Sequence, residues 1–181
     1  MKISETKPNI LCLEYRQEKG DPDYGSCLWA RFTFNLDRYE LTITSDCGNY
    51  GYKWVETPST ESFLELMTRC NRWYIINKIY GAEDVFDYEA TKKRIYECWD
   101  KEYKEELDDI FQEVELYGYP DNESEFLRVF EDNNNGDFSD VWDLVEYTYP
   151  LNALKITEVF DEHIRPKIKE IVSAQKEESD T

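Results

Sequence analysis

The sequence predicts an α+β fold, an N-terminal antiparallel sheet of about four strands packed against a set of C-terminal α-helices. Three observations predict it. Up to about residue 56 apolar and polar residues alternate; from Thr57 onward apolar residues recur every three or four positions; and no Gly/Ser or Pro linker and no internal repeat divides the chain. The reading is one domain over 1–181: sheet-rich 8–56, helical 59–174 and a flexible polar tail 175–181. A chain of 181 residues is long enough to bury roughly two-thirds of its unfolded surface. Its 15% aromatic content brings large buried area per residue, which argues against wholesale disorder.

The strands come first. In "SCLWARFTF", Leu28, Ala30, Phe32 and Phe34 share one face, and in "RYELTITSD", Tyr39, Leu41 and Ile43 share another. The polar link "NLDR" is short enough for a hairpin. "ILCLEYR" and "YGYKWV" are read as the outer strands, the latter reached through "DCGNYG", whose Gly48, Asn49 and Gly51 suit positive φ. The aromatics Tyr50, Tyr52 and Trp54 are read as core, with an exposed edge for a protein partner as the other option.

The helices follow. Pro58 and Ser59 or Thr60, then Glu61, precede the apolar series Phe63, Leu64, Met67, Cys70 and Trp73, which predicts one capped helix ending at Gly81. From Asp87, Ile95, Trp99, Tyr103, Leu107, Ile110 and Val114 form a stripe that predicts one long helix ending at Gly118 and Pro120. A shorter helix carries Phe126, Leu127 and Phe130. "FSDVWDLVEYTY" fits no single element, and "PLNALKITEVFDEHIRPKIKEIVSA" is helical.

Charge is the dominant compositional signal. The chain carries 40 acidic and 21 basic residues, a net charge of −19. Residues 83–146 hold 22 acidic and 6 basic side chains, a balance of −16; the rest holds 18 and 15, a balance of −3. Such a surplus disfavours direct contact with a nucleic-acid backbone or an anionic membrane and favours cationic protein partners. No apolar run approaches the roughly 20 residues that span a bilayer, and "MKISETKPNILCLEY" lacks a signal-peptide core. Five cysteines, at 12, 27, 47, 70 and 98, show neither a disulfide framework nor a C-x-x-C pair. A reducing cytoplasm is the expected location.

Helical phase sorts the acids of "CWDKEYKEELDDIFQEVELYG". With Leu107, Ile110 and Val114 facing the core, Glu102, Glu105, Glu106, Asp109 and Glu113 are predicted on the opposite arc. These five are the first candidates for partner contact. Asp121, Glu123, Glu125, Glu131 and Asp132 follow them in sequence. Ordinary solvated faces mix signs to gain pairs three and four residues apart; here most such neighbours are like-charged.

Catalytic signatures are absent. "EDNNNGDFSDVWD" fails as a calcium loop because position twelve is Trp142 instead of a bidentate Glu. His163 is the sole histidine, and a dyad with Cys47 or a serine has no supporting pattern. Glu40 and Asp46 carry carboxylates but no ordered spacing for magnesium, and no phosphate-loop, dinucleotide or nucleophile-elbow motif occurs. The expectation is a protein without catalytic residues, metal or cofactor.

At "LWARFTFNLDRYELTITSDCGNYGYKWVETPSTESFLELM", Leu28 to Met67, the chain resembles small acidic proteins of phages and mobile elements of low-GC Gram-positive bacteria, a group that includes inhibitors of type II-A CRISPR systems. The resemblance implies an anti-CRISPR protein that binds a type II effector nuclease or its guide-RNA complex. An acidic, nucleic-acid-like surface would then block guide RNA or target DNA. Two alternatives remain open at this point: an enzyme or activator that degrades guide RNA with carboxylate-held metal, and an antirestriction-type DNA mimic.

Overall fold

In the computed structural model, residues 7–22, 24–55, 61–99, 101–117, 122–134 and 138–179 are described. The fold is α+β, as predicted: a four-stranded antiparallel sheet near the N-terminus, then helices. The chain divides into two compact units, Met1–Ala82 with Leu151–Thr181 (unit 1) and Glu83–Pro150 (unit 2).

In unit 1, β1 (Ile10–Arg16), β2 (Trp29–Asn35), β3 (Glu40–Ser45) and β4 (Gly48–Lys53) form a meander in chain order. Register pairs Phe32 with Ile43 and Phe34 with Leu41, so period-two alternation sends these four to one buried face. Leu28 does not join them. It precedes β2 and is exposed. α1 (Phe63–Arg69), α2 (Arg72–Ile79), α6 (Leu151–Val159) and α7 (Arg165–Ser179) contribute to the same core, through Phe63, Met67, Ile75, Ile156 and Ile168 among others.

The predicted helix from Thr60 to Gly81 is two helices. Cys70 is extended (φ −71°, ψ 121°), and Asn71 starts α2 by accepting the Tyr74 amide at 2.9 Å. The break rotates Ile75 and Ile76 inward and leaves Trp73, expected in the core, 55% exposed. The start of α1 is a capping box of Ser62 and Glu65; the caps expected at Pro58, Ser59 or Thr60 lie outside the described residues. Gly81 (φ 108°) ends α2 as expected.

Between α6 and α7 the helix widens into one π turn, Phe160–Ile164, in which the Arg165 amide donates to the Phe160 carbonyl. Pro166 explains it. A proline has no amide to give Glu162, and its ring would strike that carbonyl in a regular α-helix. The expected tail is helical through Ser179, with Lys176 Nζ 2.7 Å from Glu65 on α1.

Unit 2 opens and closes with a two-stranded ribbon, β5 (Val85–Phe86) against β6 (Tyr147–Thr148). The Asp87 amide donates to the Glu146 carbonyl at 2.9 Å, the Glu146 amide donates to Thr91 Oγ1 at 2.9 Å, and Arg94 pairs with the Glu146 carboxylate. The predicted long helix is a helical hairpin: α3 (Tyr88–Cys98), a 3-10 turn (Lys101–Tyr103) and α4 (Lys104–Leu116). Trp99 is extended (φ −113°, ψ 151°) because its ring and that of Tyr103 pack edge-on to Phe138, at 5.2 and 5.7 Å. α5 (Glu123–Asn133) lies where expected, and "FSDVWDLVEYTY" becomes a second 3-10 turn (Val141–Leu144) and β6. Phe111, Phe126, Phe130 and Phe138 form a dense aromatic core. Among the described residues no helix is long and apolar enough to cross a membrane.

Candidate functional site

The acids of α4 and of the 3-10 turn before it divide into three sets by direction. Leu107, Ile110, Phe111 and Val114 are buried, which fixes the helix rotation. Asp108 and Glu115, on one flank, are used inside the unit. Tyr96 donates its hydroxyl to Asp108; Tyr88 donates to Glu115 Oε1 at 3.0 Å, and Lys92 Nζ reaches the same oxygen at 2.6 Å. These bonds hold Glu115 below the usual carboxylate range, Lys92 contributing most, while burial first and the carboxylates second raise both tyrosines. Because Tyr88 begins α3 and meets the end of α4, the two helices run antiparallel.

Glu102, Glu105 and Asp109 form the second set, exposed on the side away from the core. Among the described residues no basic side chain pairs with them. The third set corrects the prediction. Glu106 and Glu113 are half-buried, since a position about 100° from the core direction lies on the shoulder of a helix. Glu106 Oε1 is buried without a hydrogen-bond partner among the described residues.

The second group of candidates is less uniform still. Asp121 lies outside the described residues. Glu123 and Glu125 occupy the first turn of α5, where the helix dipole favours them; Glu123 accepts the Tyr147 hydroxyl at 2.9 Å. Arg128 bridges Glu125 and Asp132, at 2.9 Å to each, so neither is uncompensated. Glu131 and Asp132 are exposed in the last turn. There the dipole opposes them, and α3, α4 and α5 carry no basic residue in their last turns.

Large apolar side chains are also exposed in unit 2. Leu116 and Tyr117, at the end of α4, are 70% and 61% exposed, and Trp142 is 56% exposed. Tyr and Trp anchor protein interfaces more than other residues do. Leu116 continues the exposed side of α4 by one turn, a signal readable from helical phase, while Tyr117 follows it as the C-cap.

Residues 1–170 match the profile of a phage family, Phage_phiTE_072. The chain belongs to this phage family. No curated protein and no solved structure matches it.

Other residues of this phage-family protein are structurally employed. Asn134 exchanges two hydrogen bonds with the Phe138 backbone and Asn133 donates to the Val129 carbonyl, so these two asparagines of the rejected calcium loop serve helix ending. His163 stacks on Tyr15 with centroids 4.8 Å apart. Trp54 is buried and donates Nε1 to the Tyr74 hydroxyl at 2.9 Å, in keeping with a core reading of that strand end. One grouping has no counterpart in the sequence reading. Cys27, Asp46 and Cys47 bring two buried thiols and an exposed carboxylate together, and burial is the first cause that raises both thiols.

Proposed function

We propose that this phage protein is a non-enzymatic inhibitor that presents unit 2 as an anionic surface to the cationic nucleic-acid channel of a host defence nuclease. The observation that carries the reading is the confinement of charge. Residues 83–146, all within unit 2, hold 22 acidic and 6 basic residues. Glu105 and Asp109 stand about 6 Å apart along the axis of α4, close to two phosphate steps of about 3.4 Å on one DNA strand. Acids against the dipole at three helix ends are expected where charge is retained for a partner instead of for stability.

The finer reading takes an RNA-guided type II CRISPR nuclease as that partner, with guide-RNA or target-DNA binding as the step blocked. Such enzymes hold the guide-target duplex in a positively charged channel and read a short flanking motif with arginines. Glu102, Glu105 and Asp109 make the principal contacts; Glu113, Glu123 and Glu131 flank them.

The test is cleavage of a target by a guide-programmed nuclease, with wild type and with Glu102→Lys/Glu105→Lys/Asp109→Lys. Wild type is expected to stop cleavage in a salt-sensitive way and leave the guide RNA full length on a denaturing gel. The variant, with unchanged circular dichroism, is expected to lose inhibition. Undiminished inhibition by the folded variant rejects this surface; shortened guide RNA rejects blockade.

A further inference from the structure

Cys27 and Cys47 are 20 positions apart, yet the β2–β3 hairpin brings them together. Ladder pairing runs to Ala30 opposite Ser45, and its continuation sets Leu28 opposite Cys47, with Cys27 one residue beyond. Asp46 fastens this end of the hairpin. Its amide donates to the Trp29 carbonyl at 3.4 Å, and its carboxylate accepts the Leu28 amide at 2.9 Å and the Trp29 amide at 3.2 Å. The carboxylate is thereby held toward Cys27, whose Sγ is 3.7 Å from Asp46 Oδ1. Cys47 Sγ lies 3.2 Å from the Ser26 carbonyl oxygen.

Two buried cysteines usually pack as small apolar groups. Here the thiols face oxygens of Ser26, Trp29 and Asp46, so a positive centre between them would meet acceptors on several sides. The two sulfurs and a carboxylate oxygen all lie within 4.8 Å of one another. A tetrahedral zinc centre with bonds of about 2.3 Å to sulfur and about 2.1 Å to oxygen has S–O edges of about 3.6 Å and S–S edges of about 3.8 Å. The Cys27–Asp46 edge already has that length. At most about 1 Å of side-chain movement closes the rest.

We propose that Cys27, Asp46 and Cys47 form a site in unit 1 for a thiophilic divalent cation of the zinc class. Two sulfur donors select such an ion over magnesium or calcium, which prefer all-oxygen shells. Both sulfurs are buried while Asp46 is exposed, so the ion enters past the carboxylate and takes water as its fourth ligand. Each thiol gives up its proton to solvent, two protons leave per ion bound, and the centre carries a formal charge of −1. Asp46 is the oriented ligand, because two backbone amides already fix its oxygens.

The experiment titrates the reduced full-length protein with Co²⁺ as a spectroscopic stand-in for Zn²⁺. One equivalent is expected to bind with a near-ultraviolet sulfur-to-cobalt charge-transfer band that Zn²⁺ abolishes by displacement. Cys27→Ser/Cys47→Ser loses the band, and Asp46→Asn weakens binding about tenfold or more. Since Asp46 also secures backbone, Cys27→Ala and Cys47→Ala are measured singly by thermal melting with and without Zn²⁺; wild type is stabilised by the ion and the single variants are not. Absence of the band in folded, reduced wild type overturns the proposal. So does a band that survives in Cys27→Ser/Cys47→Ser, or a Cys27–Cys47 disulfide that persists under the reducing conditions of the titration.

Discussion

The two units differ in how they end their helices. In unit 1, α1 and α2 carry Arg69 and Lys78 in their last turns, where a cation meets the negative end of the dipole; α7 carries Lys176 beside Glu177 and Glu178, and α6, which runs on into the π turn, carries no basic residue there. In unit 2, α3, α4 and α5 have no basic residue there, and Glu113, Glu115, Glu131 and Asp132 stand in those turns instead. One region follows the rules of helix stability; the other sets them aside over a segment of 68 residues, a size at which a core is barely sufficient. The aromatic cluster of unit 2 is what compensates, since each well-oriented ring pair adds about 0.5–1.5 kcal/mol beyond its buried area.

The comparison is broken most forcefully at Phe111, which packs against Tyr88, Tyr96, Phe126 and Phe130. Phe111→Ala is expected to cost about 3–5 kcal/mol and to abolish hydrogen-exchange protection in α3, α4 and α5. Protection in β2 and β3 should persist. Loss of both together would show that the units do not open separately.

A smaller effect, of opposite sign, is expected from Glu113→Lys and Glu131→Lys. Each should stabilise unit 2 by about 0.3–1 kcal/mol at low salt, seen as a rise in Tm, while Lys78→Glu destabilises unit 1 by a similar amount. If the proposed cationic partner is the target, the stabilised variants should bind it more weakly. Salt sharpens the same contrast without mutation. Raising ionic strength from about 0.01 M to 0.15 M shortens the screening length from about 30 to 8 Å, and should raise protection in unit 2 while leaving unit 1 nearly unchanged.

The subtlest expected effect concerns Glu65, whose carboxyl is lowered to about 2 by Lys176 first and then by the Ser62 amide and hydroxyl. A depressed carboxyl stabilises the fold above its ordinary range, near 4.5, and that contribution fades as pH falls from there toward about 2. The stability difference between wild type and Glu65→Gln, measured by urea unfolding, should therefore be present at pH 6 and vanish near pH 2.

The sheet was legible because a half-buried strand shows its faces at every second residue, and the hairpins followed from short polar links. The helix breaks were not. Neither Cys70 nor Trp99 is a glycine or proline, and Trp99 is extended for the sake of a contact distant in sequence, with Phe138. Asn71, a good cap, was the local sign at the first break. Of the candidate surface, helical phase correctly sent Glu102, Glu105 and Asp109 outward and left Asp108 and Glu115 aside. It overreached at Glu106, where a shoulder position is governed by what packs beside it. Cys27 and Cys47 lack local spacing, and only the register of β2 on β3 relates them.

The β5–β6 ribbon has a consequence for how such a chain is assembled. Two hydrogen bonds and an ion pair gather the start and finish of unit 2, so the acidic segment begins and ends at nearly one place. A stretch with abutting ends can be swapped, lost or acquired as a cassette with a few joining residues, leaving the host scaffold's own strands and helices in sequence. Diversification of the acidic segment could then proceed at a pace of its own, with the sheet of unit 1 held constant.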